Sequence, residues 1–182
     1  MSFLGGHLLV ASPYLADRNF FRSVVLIVSH DDEHAFGLLL NRPGHQSLND
    51  VWRDLSGDVC ERSEMIRSGG PLAGPLMVLH RLRQFSDTQI VSDVYLSTIQ
   101  DSMAPIIDTE QTPMIPVMGY SGWEAGQLER ELEVGGWMTV PATADVVFAS
   151  PEEQWEIASR QVSDRIFAGV ELRHVPQDPR WN

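Results

Sequence analysis

Short, separated runs of apolar residues are distributed along the chain, and their pattern predicts more strands than helices. Each run is bounded by glycine, proline or short polar residues, as is typical of strands. We predict strands over Leu8–Ala11, Ser23–Ser29, Phe36–Asn41, Ile66–Ser68, Leu76–His80, Val91–Leu96, Met114–Gly119 and Trp137–Val140. The second and third of these runs flank the acidic segment His30–His34, which predicts a hairpin with a solvated loop.

Three segments have the features of helices. Ser47–Leu55 begins with a capping serine and carries its apolar residues on one face. Gln127–Val134 is closed by a glycine pair, and Ser150–Glu153 has the sequence of a helix start. Because regular helices do not separate the strands, we predict one α+β domain over residues 1–175, with a mixed or antiparallel sheet and a loose tail over residues 176–182.

Composition excludes several functions. The chain has 182 residues, 13 basic and 25 acidic, and a net charge of −12. All of the basic residues are arginine, so a phosphate-loop lysine and Schiff-base chemistry are excluded. The negative charge also argues against direct binding to nucleic acid, which depends on cations that neutralise phosphates.

The single cysteine and the apolar runs bear on the compartment. Cys60 cannot form a disulfide within the chain, and nearby acidic residues lead us to expect a thiol of normal or sluggish reactivity and not a redox switch. The beginning of the chain lacks the basic region of a signal peptide, and the apolar runs are too short to cross a membrane. We therefore expect a cytoplasmic protein without a membrane segment.

Two motifs resemble catalytic sites but are incomplete. His30 and His34 are four residues apart, yet they flank a hairpin loop in which a zinc-binding helix is not expected, so we predict neither a metal site nor a cofactor. Ser121 follows a predicted strand in a glycine-rich segment, and the order Ser121, Asp145, His174 is that of some hydrolases. However, the glycine required two residues after the serine is absent, so a tight turn is the favoured interpretation.

Polar and glycine residues at the ends of the apolar runs suggest a ligand-binding surface. We predict that it is formed by Asn41, Arg42, Gly69, Gly70, Tyr120, Trp123 and Gln127. Arg42 would bind a carboxylate or phosphate, the two aromatic rings would form walls, and the helix start at Gln127 would offer free amides. The alternative is structural: Arg42 would pair with Glu131 or another acid, and Trp123 would fill the core.

Several segments, taken in order, resemble the AlgH/YqgE family of small bacterial proteins. They are Gly6–Pro13, Ser23–Ile27, Gly37–Pro43, Gly69–Pro71, Gly119–Trp123, Gly126–Glu129, Glu131 and Trp137. The resemblance implies an α+β domain whose curled, bifurcated sheet forms a pseudo-barrel flanked by helices. It also implies a cytoplasmic protein of unestablished activity, sometimes labelled a transcriptional regulator. His34 departs from the family, which usually has glycine at this position.

From these observations we predict a non-enzymatic domain that is either regulatory or binds a small ligand or protein, with a small anion or a protein as its partner. The alternatives are a transcriptional regulator that acts directly on DNA, and a hydrolase that uses Ser121. The acidic charge opposes the first alternative, and the incomplete motif opposes the second.

Overall fold

The computed structural model describes residues 3–13, 15, 17, 19–109 and 112–171. The described part of the chain contains ten strands, which are β1 His7–Ala11, β2 Val24–His30, β3 His34–Leu39, β4 Pro43–Ser47, β5 Met65–Ser68, β6 Leu72–His80, β7 Thr88–Val91, β8 Val94–Ser97, β9 Met114–Glu124 and β10 Trp137–Pro141. The helices are α1 Leu48–Ser56, α2 Gln100–Ile107, α3 Gln127–Glu133, α4 Ala144–Val147 and α5 Pro151–Glu171, with a 3₁₀ turn at Arg83–Phe85. None of the helices in this part of the chain combines the length and the hydropathy of a membrane-spanning segment.

The strands form one curled sheet that forks. Its main order is β10-β1-β2-β3-β9-β6-β8-β7, and β4 and β5 form a branch attached to β9. The pairs are antiparallel except that of β5 with β9, so the sheet is mixed. At the far end, β7 approaches the segment before β1, where a Cβ on Gly6 would lie 2.8 Å from the Val91 side chain. The helices together with this mixed, curled sheet confirm the predicted α+β class.

Both faces of the sheet are covered by apolar side chains. One face holds the main core, with alternate residues of the strands and with residues of α4 and α5 such as Val146 and Ala158. The opposite face is covered in two places. Trp123, Trp137 and Leu128 pack over β1–β3, and α1 and α2 pack over β5, β6 and β9.

The predicted elements are confirmed where local signals are strong. Ser47 caps α1 by accepting a hydrogen bond from the Asp50 amide at 3.1 Å, and Gly57 ends the helix in a left-handed conformation. The predicted hairpin forms between β2 and β3. The predicted end of the domain at residue 175 and the tail over 176–182 lie outside the described residues.

Other predicted boundaries are wrong. Val91–Leu96 is not one strand, because a tight turn with a positive φ of 59° at Asp93 separates β7 from β8. The strand predicted to stop at Gly119 continues to Glu124, since that segment pairs with β3. The short strand β4, which begins at Pro43, and the helices α2 and α4 were not predicted.

Candidate functional site

The sheet forks along one edge of β9. The end of this strand, from Ser121 to Glu124, pairs with β3, whereas Val117 and Met118 pair with β5. Where β3 and β5 diverge, the following loops enclose a cleft of about 300 Å³. We call it the fork cleft, and its lining residues are Asn19, Leu39, Arg42, Pro43, Ser68, Gly70 and Pro71.

Asn41 and Arg42 stabilise one wall of this cleft through hydrogen bonds to the turn before β2. The Asn41 side chain accepts a hydrogen bond from the Val24 amide at 3.0 Å and donates one to the Arg22 carbonyl at 2.8 Å. Arg42 Nη2 donates to the carbonyls of Asn19, at 3.3 Å, and Phe21, at 2.7 Å. The two residues therefore hold the turn before β2, and Arg42 also borders the cleft.

The opposite wall depends on the glycine pair. The Gly69 amide donates to the Met118 carbonyl, and the Gly69 carbonyl accepts from the Leu39 amide at 2.7 Å, so this residue joins the diverging strands. Gly70 has a φ of 153°, and a Cβ there would lie 2.3 Å from the Tyr120 backbone. Only glycine brings the loop this close to β9.

The charge of the fork cleft differs from that of its surroundings. Arg42 is the charged residue among the lining residues, and no acidic residue lines the cleft. Arg42 forms no ion pair with a carboxylate of the described residues, although a neighbouring cleft that it also borders contains Glu152 and Glu156. The fork cleft is thus a cationic site on a protein with a net charge of −12.

A second arginine, Arg67, stabilises the place where the sheet forks. Arg67 Nη1 donates to the Leu40 carbonyl at 2.7 Å and to the Gln154 side chain at 3.3 Å. Burial lowers the pKa of the Arg67 guanidinium, and the negative charge of Glu152 opposes this effect. Arg67 therefore connects β5 to the end of β3 and to α5 and is not among the residues that line the cleft.

The aromatic residues predicted for the site do not share a wall. Tyr120 packs against the main core and lies 5.4 Å from the Phe36 ring, whereas Trp123 belongs to the cluster on the other face of the sheet. Their odd separation along a strand accounts for this, because side chains alternate between faces. A predicted strand that continued to Glu124 would have placed Tyr120 and Trp123 on opposite faces of the sheet.

Trp123 and Gln127 instead surround Glu131. The Glu131 carboxylate accepts hydrogen bonds from the indole N–H groups of Trp123, at 3.0 Å, and Trp137, at 2.7 Å. The Gln127 side chain donates to it at 2.9 Å and also accepts from the Glu124 amide, so it caps this end of β9. We call Trp123, Gln127, Glu131 and Trp137 the indole cluster.

The fork cleft and the indole cluster are linked by one turn. Phe20 stacks on Trp123 at 6.4 Å and meets Trp137 edge to face at 5.2 Å. Arg42 holds the carbonyls on either side of Phe20. The alternative pairing of Arg42 with Glu131 is therefore wrong, because each is bonded to other groups.

The structure brings together Arg42, Gly70 and the backbone near Tyr120, but places Trp123 and Gln127 elsewhere. Sequence reasoning missed Asn19, Ser68 and Pro71 as lining residues. Ser68 and Pro71 flank the predicted glycine pair, so the turn itself was the available signal. Asn19 gave no signal in the sequence, since its place at the cleft depends on contacts with distant residues such as Arg42.

Ser121 and Asp145, the described members of the hydrolase-like motif, each contact a different group. Ser121 lies within β9, is 1% exposed, and faces the Gly69 carbonyl at 3.4 Å, so it is not on the strand-to-helix turn of a hydrolase. Asp145 is exposed and pairs with Arg81 at 3.5 Å, and His174 lies outside the described residues.

The two histidines of the acidic loop have different partners. His30 contacts Glu129 at 2.9 Å, and His34 contacts Asp31 at 3.1 Å. Within the described ranges, no group of three or more histidine, cysteine or acidic side chains is arranged to hold a metal ion.

A larger cavity, of about 500 Å³, surrounds Cys60. It is lined by Val59–Glu64, Ile107 and Asp108, and its Arg62 pairs with Glu64 at 3.3 Å. Cys60 itself is 5% exposed and packs in the cluster beneath α1 and α2. This acidic lining makes the cavity a weaker anion site than the fork cleft.

These features define a single-domain α+β protein whose forked half-barrel sheet carries a small cationic cleft. A family model described as AlgH-like matches residues 8–166. A UPF0301 protein of Stenotrophomonas maltophilia is 37% identical over 172 residues, which cover 90% of this chain and 92% of that protein. A UPF0301 protein of Stutzerimonas stutzeri is 37% identical over 180 residues, covering 94% and 92%. The chain belongs to the AlgH-like family.

Solved structures show the same fold. The solution structure of the AlgH protein from Pseudomonas aeruginosa has a TM-score of 0.74 and 33% identity, covering 88% of this chain and 89% of that one. A crystal structure of a Corynebacterium diphtheriae protein has a TM-score of 0.72 at 24% identity, covering 88% of each chain.

Proposed function

We propose that the chain is a non-enzymatic binding domain that recognises a carboxylate- or phosphate-bearing ligand in the fork cleft. The observation that carries this proposal is that the cleft contains a guanidinium and no acidic residue, in a chain with 25 acidic residues. The cavity around Cys60 and the clefts beside α5 are each lined by at least two acidic residues. An anion would therefore bind with least repulsion at Arg42.

The hydrogen bonds of Arg42 suit this role. Both of its bonds use Nη2, and no bond from Nη1 or Nε to a described residue is present. The bonded carbonyls fix the plane of the guanidinium, so little side-chain entropy remains to be lost on binding. A planar, oriented guanidinium can form two parallel bonds to one carboxylate or phosphate.

The same features argue for a protein that acts through a partner in the cytoplasm. A net charge of −12 opposes direct contact with DNA phosphates, and the buried Ser121 opposes acyl transfer. Any effect on transcription would then pass through the bound ligand or a partner protein. The lone cysteine supports a reducing compartment.

The test is an ¹⁵N NMR titration with sodium acetate and inorganic phosphate at constant ionic strength. We expect saturable shifts of the Ser68 and Gly70 amides, with dissociation constants on the order of millimolar for a single ion pair. Arg42→Gln should weaken binding about tenfold or more, whereas Arg53→Gln, which removes an exposed arginine of α1, should not.

Because Arg42 also holds the turn before β2, a second pair of variants separates binding from folding. Ser68→Glu adds a carboxylate to the cleft and leaves Arg42 in the sequence, and Ser163→Glu adds the same charge on the exposed face of α5. Only Ser68→Glu should weaken anion binding. Shifts that rise linearly with concentration, or that are the same in both variants, would refute the proposal.

A further inference from the structure

The fork cleft continues into a second, uncharged cleft. The two share Gly70 and Pro71, and the second is lined further by Leu72, Ala73, Gly74, Met118 and Gly119, with a volume of about 270 Å³. We call it the bulge cleft. It exists because β6 leaves its regular pairing with β9 between Leu72 and Leu76, so the intervening residues bend away from the sheet.

The bulge cleft offers an exposed apolar surface. Leu72 is 44% exposed, although it is a large aliphatic side chain at the beginning of a strand. Met118 is half-buried beside it, and Pro71 continues the apolar surface to the fork cleft. None of the residues that line the bulge cleft is charged.

The continuous surface therefore has a cation at one end and apolar side chains at the other. Resting on the proposed function, we infer that its ligand is the C-terminal end of a partner protein. The terminal carboxylate binds Arg42, and apolar side chains of the preceding residues contact Leu72 and Met118. The five residues from Gly70 to Gly74 span at most about 13 Å of extended chain, which suits a segment of four or five residues.

Charge and shape favour this occupant over a free small anion or an internal acidic loop. A small anion would leave Leu72 exposed. A chain that continued past the carboxylate would extend toward the neighbouring cleft lined by Glu152 and Glu156. A segment that ends at Arg42 covers Leu72 and stays away from these two carboxylates. Binding of a terminal carboxylate is a recurring mode of peptide recognition.

The experiment is a selection from random pentapeptides with free C-termini, carried out on the full chain, with the same library amidated at the C-terminus as its counterpart. We expect the free-carboxylate library to be enriched in apolar residues upstream of the terminus. The best selected peptide should bind at least about tenfold more weakly when amidated, and likewise to Arg42→Gln.

A matched pair of variants tests the apolar half. Leu72→Ser should weaken the selected peptide about tenfold and leave acetate binding unchanged, whereas Leu55→Ser, at a position 53% exposed on α1, should change neither. If acetate and phosphate bind at the fork cleft but the free library shows no enrichment over the amidated one, the inference is wrong and the proposed function stands. If neither anions nor peptides bind, both are wrong.

Discussion

His80 makes the stability of this protein depend on pH in a defined way. Its side chain is fully buried in β6, where Nδ1 accepts a hydrogen bond from the Leu82 amide at 3.1 Å. Nε2 must then carry the proton and donate to Ser97 Oγ, at 2.9 Å, and Ser97 donates in turn to the Phe85 carbonyl at 2.7 Å. Every polar atom of the neutral imidazole is satisfied, and a second proton on Nδ1 would break the bond to Leu82.

Burial lowers the pKa of His80 from 6.5 to about 4, and the negative charge of Asp87 offsets this only in part. Between these two values the unfolded chain binds a proton that the folded chain does not. The contribution of His80 to stability is therefore complete above pH 6.5 and is lost as the pH falls toward 4. One pKa unit is worth about 1.4 kcal/mol, so the full loss is about 3 kcal/mol, of which about 2 kcal/mol falls between pH 7 and pH 5.

Urea unfolding at pH 7 and pH 5 tests this prediction in the unmodified chain, His80→Gln and His45→Gln. His80→Gln should be destabilised at pH 7, and its deficit should shrink by about 2 kcal/mol at pH 5, because glutamine does not titrate. His45 is exposed on β4, so its replacement should behave like the unmodified chain. A deficit that is the same at both pH values would refute the reasoning, as would an NMR titration of the His80 imidazole with a midpoint near 6.5.

The indole cluster and the buried thiol give two further predictions. Glu131→Ala leaves two buried indole N–H groups without their acceptor, so it should lower the free energy of unfolding by about 3 kcal/mol and change the near-UV circular dichroism spectrum. Glu133→Ala, at an exposed position of α3, should change the free energy of unfolding little. An equal loss in the two variants would contradict the role of Glu131. Cys60 should react with an aromatic disulfide reagent about tenfold or more slowly in the native protein than in denaturant, and equal rates would contradict its burial.

The sequence predicted those elements whose signals are local. The helix after Ser47 was recognised because its cap, apolar face and terminating glycine all lie within a few residues. Helix α2 was not predicted, because it contains Pro105 and because the two residues before it are held by Asp87, which accepts hydrogen bonds from the amides of Thr98 and Ile99. Asp87 lies eleven residues before Thr98, so this contact leaves no signal in the sequence next to the helix.

The residues of the candidate site also differ in whether their signals in the sequence are local. Arg42 and Gly70 were predicted from their positions at the ends of apolar runs, and the fork brings them together. Trp123 was predicted to form a wall of the site together with Tyr120, but it lies on the other face of the sheet, because β9 is extended by pairing with β3, more than eighty residues away in the chain. The fork itself depends on three strands sharing β9, which no single segment of sequence reveals.

The central claim is that the fork cleft binds an anion through Arg42, and a crystal structure of the protein grown with inorganic phosphate tests it most directly. We predict a phosphate in the fork cleft, within hydrogen-bond distance of Arg42 Nη1 or Nε and between Asn19 and Gly70. The prediction would be contradicted by phosphate bound at other arginines, such as Arg53, while the fork cleft holds none at a concentration well above the dissociation constant measured by titration.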